Sequence, residues 1–198
     1  MLVQDILTGV YQANPNCTGE IKQDIYGELI RKILPVCTGD ILEIGAFDGR
    51  STRVFAEIGK TFDRQVYVVD PWDGHQEGNE KVYKEFIKNT AHLSNIHVLR
   101  VSSQDKSAID YISKLSLCFC LIDGLHTKDA VTQDILAVQS ASFGKGIIMV
   151  DDVRDLYGCL GAKTCQDIMD SVNYHQNDKW KHILSPSEWL GTCYVKEI

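Results

Sequence analysis

Apolar positions recur along the chain at two periods, and the alternation between those periods predicts its elements. Residues 1–18 are polar and interrupted by Asn14-Pro15-Asn16, which reads as a short helix and a loop. Over residues 20–34 the apolar positions are Ile21, Ile25, Leu29, Ile30, Ile33 and Leu34, the stripe of a helix that Pro35 stops. Its face either packs on a sheet or also helps cover a ligand. Five short apolar runs follow, at 40–46, 65–69, 96–101, 117–122 and 146–150. Helical stripes separate them: Val54, Phe55 and Ile58; then Val82, Tyr83, Phe86 and Ile87; then Ile109, Ile112 and Leu115; then Val131, Ile135 and Val138. Residues 73–80 form a polar, glycine-containing loop, a candidate lid, with His75 reading as solvated. A last helix around 165–172 precedes runs at 180–184 and 191–196, which read as a closing antiparallel pair.

Strands apolar enough to be buried on both faces, alternating with helices, predict an α/β fold. The expected architecture is a Rossmann-like doubly wound sheet, mostly parallel, with an antiparallel strand pair at the C-terminus. At 198 residues the chain reads as a single domain, with an N-terminal helical segment (1–38) and a core (39–198). Hydrophobic residues at 44% and charged residues at 24% fit an ordinary globular protein. The net charge of −7 and scattered Lys and Arg argue against nucleic acid or an anionic membrane as partner. No leader peptide or membrane span is read from the chain, which predicts a cytoplasmic protein. The seven cysteines form no Cys-x-x-Cys pair and read as reduced thiols rather than a zinc site. Cys118 and Cys120 alternate along an apolar run, which places both on one face.

The chemistry concentrates at the ends of the predicted strands. The first run ends Glu43-Ile44-Gly45-Ala46-Phe47-Asp48-Gly49, then restarts as a helix at Ser51-Thr52. A strand, a Gly-rich turn and a helix start present backbone amides to a ligand. The spacing is Glu-x-Gly-x-x-x-Gly rather than Gly-x-Gly-x-x-Gly, and a strand-end carboxylate at Glu43 favours a cationic ligand over a pyrophosphate. The second run ends at Asp70, 21 residues beyond Gly49. That matches an acid about 20 residues past a glycine turn that accepts from ribose hydroxyls. Pro71 and Trp72 follow; Trp72 either flanks an adenine ring or is a plain core or lid residue. The fourth and fifth runs end at Asp123 and at Asp151-Asp152. If those strands are neighbours their ends lie roughly 5 Å apart, too close for all the carboxylates to stay ionised unaided. A shifted pKa, a nearby cation such as Lys128 or Arg154, or a bound Mg²⁺ would each resolve this, and hard oxygen ligands favour Mg²⁺. His126 sits at a helix start on the same rim and is a candidate general base, with Asp123 the competing one.

Glu43-x-Gly45 with Gly49, Val69-Asp70-Pro71-Trp72, Asp123-Gly124-x-His126 and Asp151-Asp152 together resemble one branch of the class I S-adenosylmethionine (SAM) dependent methyltransferases. That branch holds small metal-dependent O-methyltransferases, such as the macrocin and mycinamicin sugar methyltransferases and cephalosporin-biosynthesis enzymes. The resemblance covers roughly residues 20–152. It implies that Glu43, Gly45 and Gly49 cradle the methionine part of SAM and that Asp70 holds the ribose. It further implies that Asp123, Asp151 and Asp152 ligate Mg²⁺ and that His126 takes the proton from an acceptor hydroxyl. At the third strand end the family commonly has Gly-Asp-Ser, whereas this chain has Val101-Ser102-Ser103, so Ser103 or Gln104 is expected to serve adenine. The expected acceptor is a small hydroxylated molecule such as a sugar or natural product; either the acceptor differs from those of the antibiotic enzymes or its pocket is completed by a second subunit in a homo-oligomer. Three other readings stand beside this one: a metal-independent N- or O-methyltransferase, a SAM-binding protein without transferase activity, and an NAD enzyme, which the missing Gly-x-Gly-x-x-Gly disfavours.

Overall fold

The computed structural model describes residues 2–13, 22–73, 79–151, 180–184 and 192–196. The expected helix at 165–172, most of the candidate lid with His75, and Asp152 and Arg154 lie outside them. Two helices lead in, α1 (Val3–Ala13) and α2 (Lys22–Ile33). The core then alternates β1 (Asp40–Ile44), α3 (Arg50–Thr61), β2 (Val66–Val69), α4 (Asn79–Thr90), β3 (Ile96–Leu99), α5 (Lys106–Ile112), β4 (Ser116–Ile122), α6 (Lys128–Ser140) and β5 (Ser142–Val150). It closes with β6 (Trp180–Leu184) and β7 (Thr192–Lys196).

These strands form one seven-stranded sheet in the order β3-β2-β1-β4-β5-β7-β6. The pairs from β3 through β5 are parallel; β7 lies antiparallel between β5 and β6. This is the doubly wound, mostly parallel α/β sheet with an antiparallel C-terminal pair that the hydrophobic pattern predicts. The period-2 alternation of each strand splits the core in two. Ile41, Val66, Val68, Leu121 and Met149 pack with α1 to α4 on one face. Leu42, Ile44, Val69, Ile122 and Ile148 pack with α5 and α6 on the other. Among the described residues no helix is long and apolar enough to cross a membrane.

Two details depart from the pattern, and one irregularity explains both. β5 begins at Ser142, upstream of the apolar run at 146–150. β4 pairs with it through Leu117↔Phe143 and then Phe119↔Ile147, so the ladder bulges around Cys118. A Cβ on Gly146 would lie 2.4 Å from the Cys118 carbonyl oxygen, so the bulge needs glycine opposite it. The bulge also interrupts side-chain alternation: Cys118 joins the α1–α4 face and Cys120 the α5–α6 face, not a shared one. Burial pushes the Cys118 thiol up to about 12, and both cysteines behave as small apolar core residues.

Candidate active site

The strand order reverses between β1 and β4, and there the carboxyl ends of four strands enclose a cleft of about 530 Å³. β1 contributes Ile44, Gly45 and Phe47; β2 contributes Val69, Asp70, Pro71 and Asp73. The end of β3 adds Ser102, Ser103 and Gln104, and the end of β4 adds Asp123, Gly124 and Leu125. That volume suits a small molecule of cofactor size.

Gly45 makes the close approach of β1 and β4 sterically feasible. Its φ is +84°, and a Cβ there would stand 2.1 Å from the Asp123 carbonyl oxygen. Gly49 (φ +81°) starts α3, and its missing side chain leaves room for the Phe86 ring, 2.8 Å from where a Cβ would be. Between them Phe47 takes φ +47°, and past β2 Trp72 takes φ +51°. Asp70 braces both turns: one carboxylate oxygen accepts from the amides of Ala46 (2.7 Å) and Phe47 (3.1 Å), the other from the Trp72 amide (2.6 Å). A carboxylate offers about four acceptor positions, so Asp70, on the cleft wall, retains capacity for a ligand hydroxyl.

Glu43 lies beneath the turn instead of on the cleft surface, 0% exposed. It accepts from the Ser51 hydroxyl (2.5 Å) and from that of Thr52, both in the first turn of α3. Burial is the main cause raising its carboxyl to about 8; those two hydroxyls oppose the rise, and the Asp123 and Asp70 charges add to it. Burial thus favours the protonated form of the acid under the glycine turn.

Trp72 departs from its expected place beside a ligand ring. It is 1% exposed, its indole N–H donates to the Phe47 carbonyl (2.8 Å), and its ring packs at 4.8 Å on both Tyr83 and Phe86. The left-handed turn at Trp72 points the indole into the α3–α4 core, which is the core reading of this residue.

On the acceptor side, Ile122 pairs with Val150, so Asp123 and Asp151 end adjacent strands. His126 Nε2 lies 3.2 Å from Asp123 Oδ1, just before α6, whose N-cap is Thr127. Asp151 is 2% exposed and meets a cation the sequence does not point to: Lys22, at the start of α2, forms an ion pair with its Oδ2. Tyr26 donates its hydroxyl to the same oxygen at 3.0 Å. Burial first, then the Asp151 and Asp123 charges, hold the Tyr26 hydroxyl well above the ordinary phenol range. Lys22 and Tyr26 are four residues apart on one helix, so they share a face. That spacing was readable, but nothing local says which sheet rim the face meets. Among the described residues no three His, Cys, Asp or Glu side chains come close enough together to hold a metal ion.

A family profile described as a methyltransferase domain matches residues 42–153. No curated protein sequence matches the chain. Among solved structures, the apo TDP-rhamnose 3'-O-methyltransferase of calicheamicin biosynthesis superposes with a TM-score of 0.60 at 14% identity, over 98% of this chain and 92% of that one. The SAH-bound methyltransferase of Podospora anserina gives 0.63 at 12% identity, over 98% and 88%. An O-methyltransferase from Bacillus cereus in complex with SAH gives 0.62 at 14% identity, over 98% and 90%. At such identities these structures speak for the fold, and the family rests on the profile, which spans more than half of the chain. The chain belongs to this methyltransferase domain family and is an S-adenosylmethionine-dependent methyltransferase with the class I fold.

Proposed function

We propose that the protein transfers the methyl group of SAM to a hydroxyl of a small acceptor, a sugar or natural product, at the rim formed by Asp123 and His126. The observation that carries this reading is the His126–Asp123 pair, at 3.2 Å, beside the cleft that the glycine turn of β1 forms. When bound, SAM would supply an electrophilic methyl on a sulfonium for the acceptor hydroxyl to take, with its thioether as the leaving group.

The chain's own residues position and deprotonate. Gly45 and Gly49 admit the methionine end of SAM over Glu43, and a cationic group there favours the ionised carboxylate that burial disfavours. Asp70 receives the ribose hydroxyls while bracing both turns. Ser103 and Gln104 face the adenine. Asp123 accepts from His126 Nε2–H, which turns Nδ1 into the acceptor of the hydroxyl proton. Phe47 (46% exposed) and Leu125 (64% exposed) line the cleft and offer apolar surface to the acceptor. Holding the hydroxyl in line with the sulfonium supplies much of the acceleration by proximity.

Magnesium divides two versions of this reading. In the first, Asp123, Asp151 and Asp152 hold Mg²⁺. The described carboxylates do not suit that role as they stand, because Asp151 is neutralised by Lys22 and bonded by Tyr26 while Asp123 is engaged by His126. The second version, in which the Lys22 ammonium supplies the positive charge, is therefore the one we favour, and no step is routed through a metal. Methyl transfer from labelled SAM to a panel of sugars and phenols, with and without EDTA, tests both function and metal. Product formed at an unchanged rate in EDTA is expected. A loss of about tenfold or more that Mg²⁺ restores would return the carboxylates to a ligand role, and no transfer to any hydroxyl would overturn the O-methylation reading.

A further inference from the structure

β4 and β5 end side by side in carboxylates. Ile122 pairs with Val150, and the amides of Asp123 and Asp151 extend the ladder by one step, donating to the carbonyls of Ile44 and Ile122. The two-residue period places Asp123 on the face of Leu121 and Asp151 on that of Met149, both packed toward α1 to α4. Two acids at neighbouring strand ends, their backbones roughly 5 Å apart, need positive charge beside them to stay ionised together.

That charge comes from α2. Lys22 forms an ion pair with Asp151 Oδ2, and Tyr26, one turn further on, donates its hydroxyl to the same oxygen at 3.0 Å. The Asp151 side chain is wholly buried and that of Lys22 is 13% exposed, so solvent and salt screen this pair little. Beside it, Asp123 Oδ1 meets His126 Nε2 at 3.2 Å. A Mg²⁺ or Mn²⁺ ion takes carboxylate oxygens as direct ligands, and at Asp151 it would have to displace the ammonium to do so. Lys22 and Tyr26 precede residue 42, where the family profile begins, while both carboxylates fall inside it. The methyltransferase domain thus carries the acids, and the N-terminal helical segment carries the cation.

We propose that Lys22 determines which cation serves this rim: its tethered ammonium holds the place a divalent ion would take and shuts such ions out. Removing the ammonium leaves Asp123 and Asp151 as a divalent-ion site. This rests on the metal-free version of the function proposed above and adds to it the residue that makes the rim metal-free.

The test is Mn²⁺ binding, read by electron paramagnetic resonance and by calorimetry, for the wild-type protein, Lys22→Arg, Lys22→Gln and Lys22→Ala. The wild type and Lys22→Arg keep the cation and are expected to take up Mn²⁺ only as weakly as the remaining acidic surface does. Lys22→Ala is expected to gain a site at least about tenfold tighter, and adding Asp151→Asn to it removes the gain. A buried carboxylate without its partner destabilises a fold strongly. Mn²⁺ is therefore also expected to raise the unfolding midpoint of Lys22→Ala while leaving that of the wild type unchanged. Lys22→Gln keeps a neutral donor for Asp151 and is expected to show the same gain, so it carries the test where Lys22→Ala folds poorly. A merely structural Lys22 would lower stability with no gain in Mn²⁺ affinity. That result in the folded variants, or Mn²⁺ binding by the wild type as tight as by Lys22→Ala, overturns the proposal. Neither readout involves an acceptor, so failure of the protein to methylate any hydroxyl would overturn the O-methylation reading and leave this one standing.

Discussion

Replacing Gly45 with alanine is expected to abolish SAM binding and to lower the unfolding midpoint measurably. The residue sits at φ +84°, where an L side chain is strained by about 1–2 kcal/mol. The larger effect is steric: the new Cβ would meet the Asp123 carbonyl oxygen at 2.1 Å and its carbon at 2.5 Å. Both are backbone atoms of the neighbouring strand end, so no rotamer relieves the contact, and β1 and β4 must separate at the point where the cleft forms. We expect a destabilisation of about 3 kcal/mol or more, which for a chain of this size corresponds to about 6–12 °C in midpoint. Thermal unfolding and SAM calorimetry on Gly45→Ala read the two consequences separately. A variant that binds SAM with wild-type affinity would mean that the tight turn is not what shapes the cofactor site.

His126→Gln is expected to leave SAM affinity within about threefold of wild type while lowering the methyl-transfer rate by about 10²–10⁴-fold, the usual worth of a general base. The geometry gives the reason. His126 lies next to the cleft-lining residues, not among them, and its ring is held by Asp123 at 3.2 Å. Single-turnover transfer to the acceptor measures the rate and calorimetry measures affinity. Asp123→Asn provides the contrast, since it keeps a hydrogen-bonding partner for the ring but removes the charge that favours the imidazolium form. If Asp123→Asn costs far more than His126→Gln, the carboxylate and not the imidazole takes the proton. If neither slows transfer, the rim is not where the chemistry occurs.

What the sequence made legible is what local pattern determines. Apolar runs ending in Glu43, Asp70, Asp123 and Asp151 marked the parallel strands, and parallel strands place their ends on one rim. The left-handed turn at Gly45 and the helix start at Gly49 followed from glycine in a strand–turn–helix. Side-chain direction at irregular backbone did not follow. The bulge around Cys118 arises from how two distant strands accommodate each other, so neither the early start of β5 nor the opposite faces of Cys118 and Cys120 had a signal in the alternation. Trp72 looked like a ligand neighbour by position, but its left-handed φ turns the indole onto Tyr83 and Phe86.

The electrostatics of the rim were half legible for a related reason. Crowded carboxylates called for a shifted pKa, a nearby cation such as Lys128 or Arg154, or a bound Mg²⁺, and the sequence reading favoured Mg²⁺. Among the described residues Lys22, brought from the N-terminal helical segment by the packing of α2 on α3, pairs with Asp151. Glu43 was read as facing a cation directly; it lies buried beneath the turn, accepts from Ser51 and Thr52, and its carboxyl is raised chiefly by burial.

The central claim is that the cleft at the β1–β4 switch point holds SAM. Calorimetric titration of the wild-type protein with SAM, with an Asp70→Ala variant alongside, addresses it most directly. The account predicts saturable one-to-one binding by the wild type, and a loss of at least about tenfold when the brace of both turns and the ribose partner are removed together. Absence of binding by the folded wild-type protein, or undiminished binding by Asp70→Ala, would contradict it.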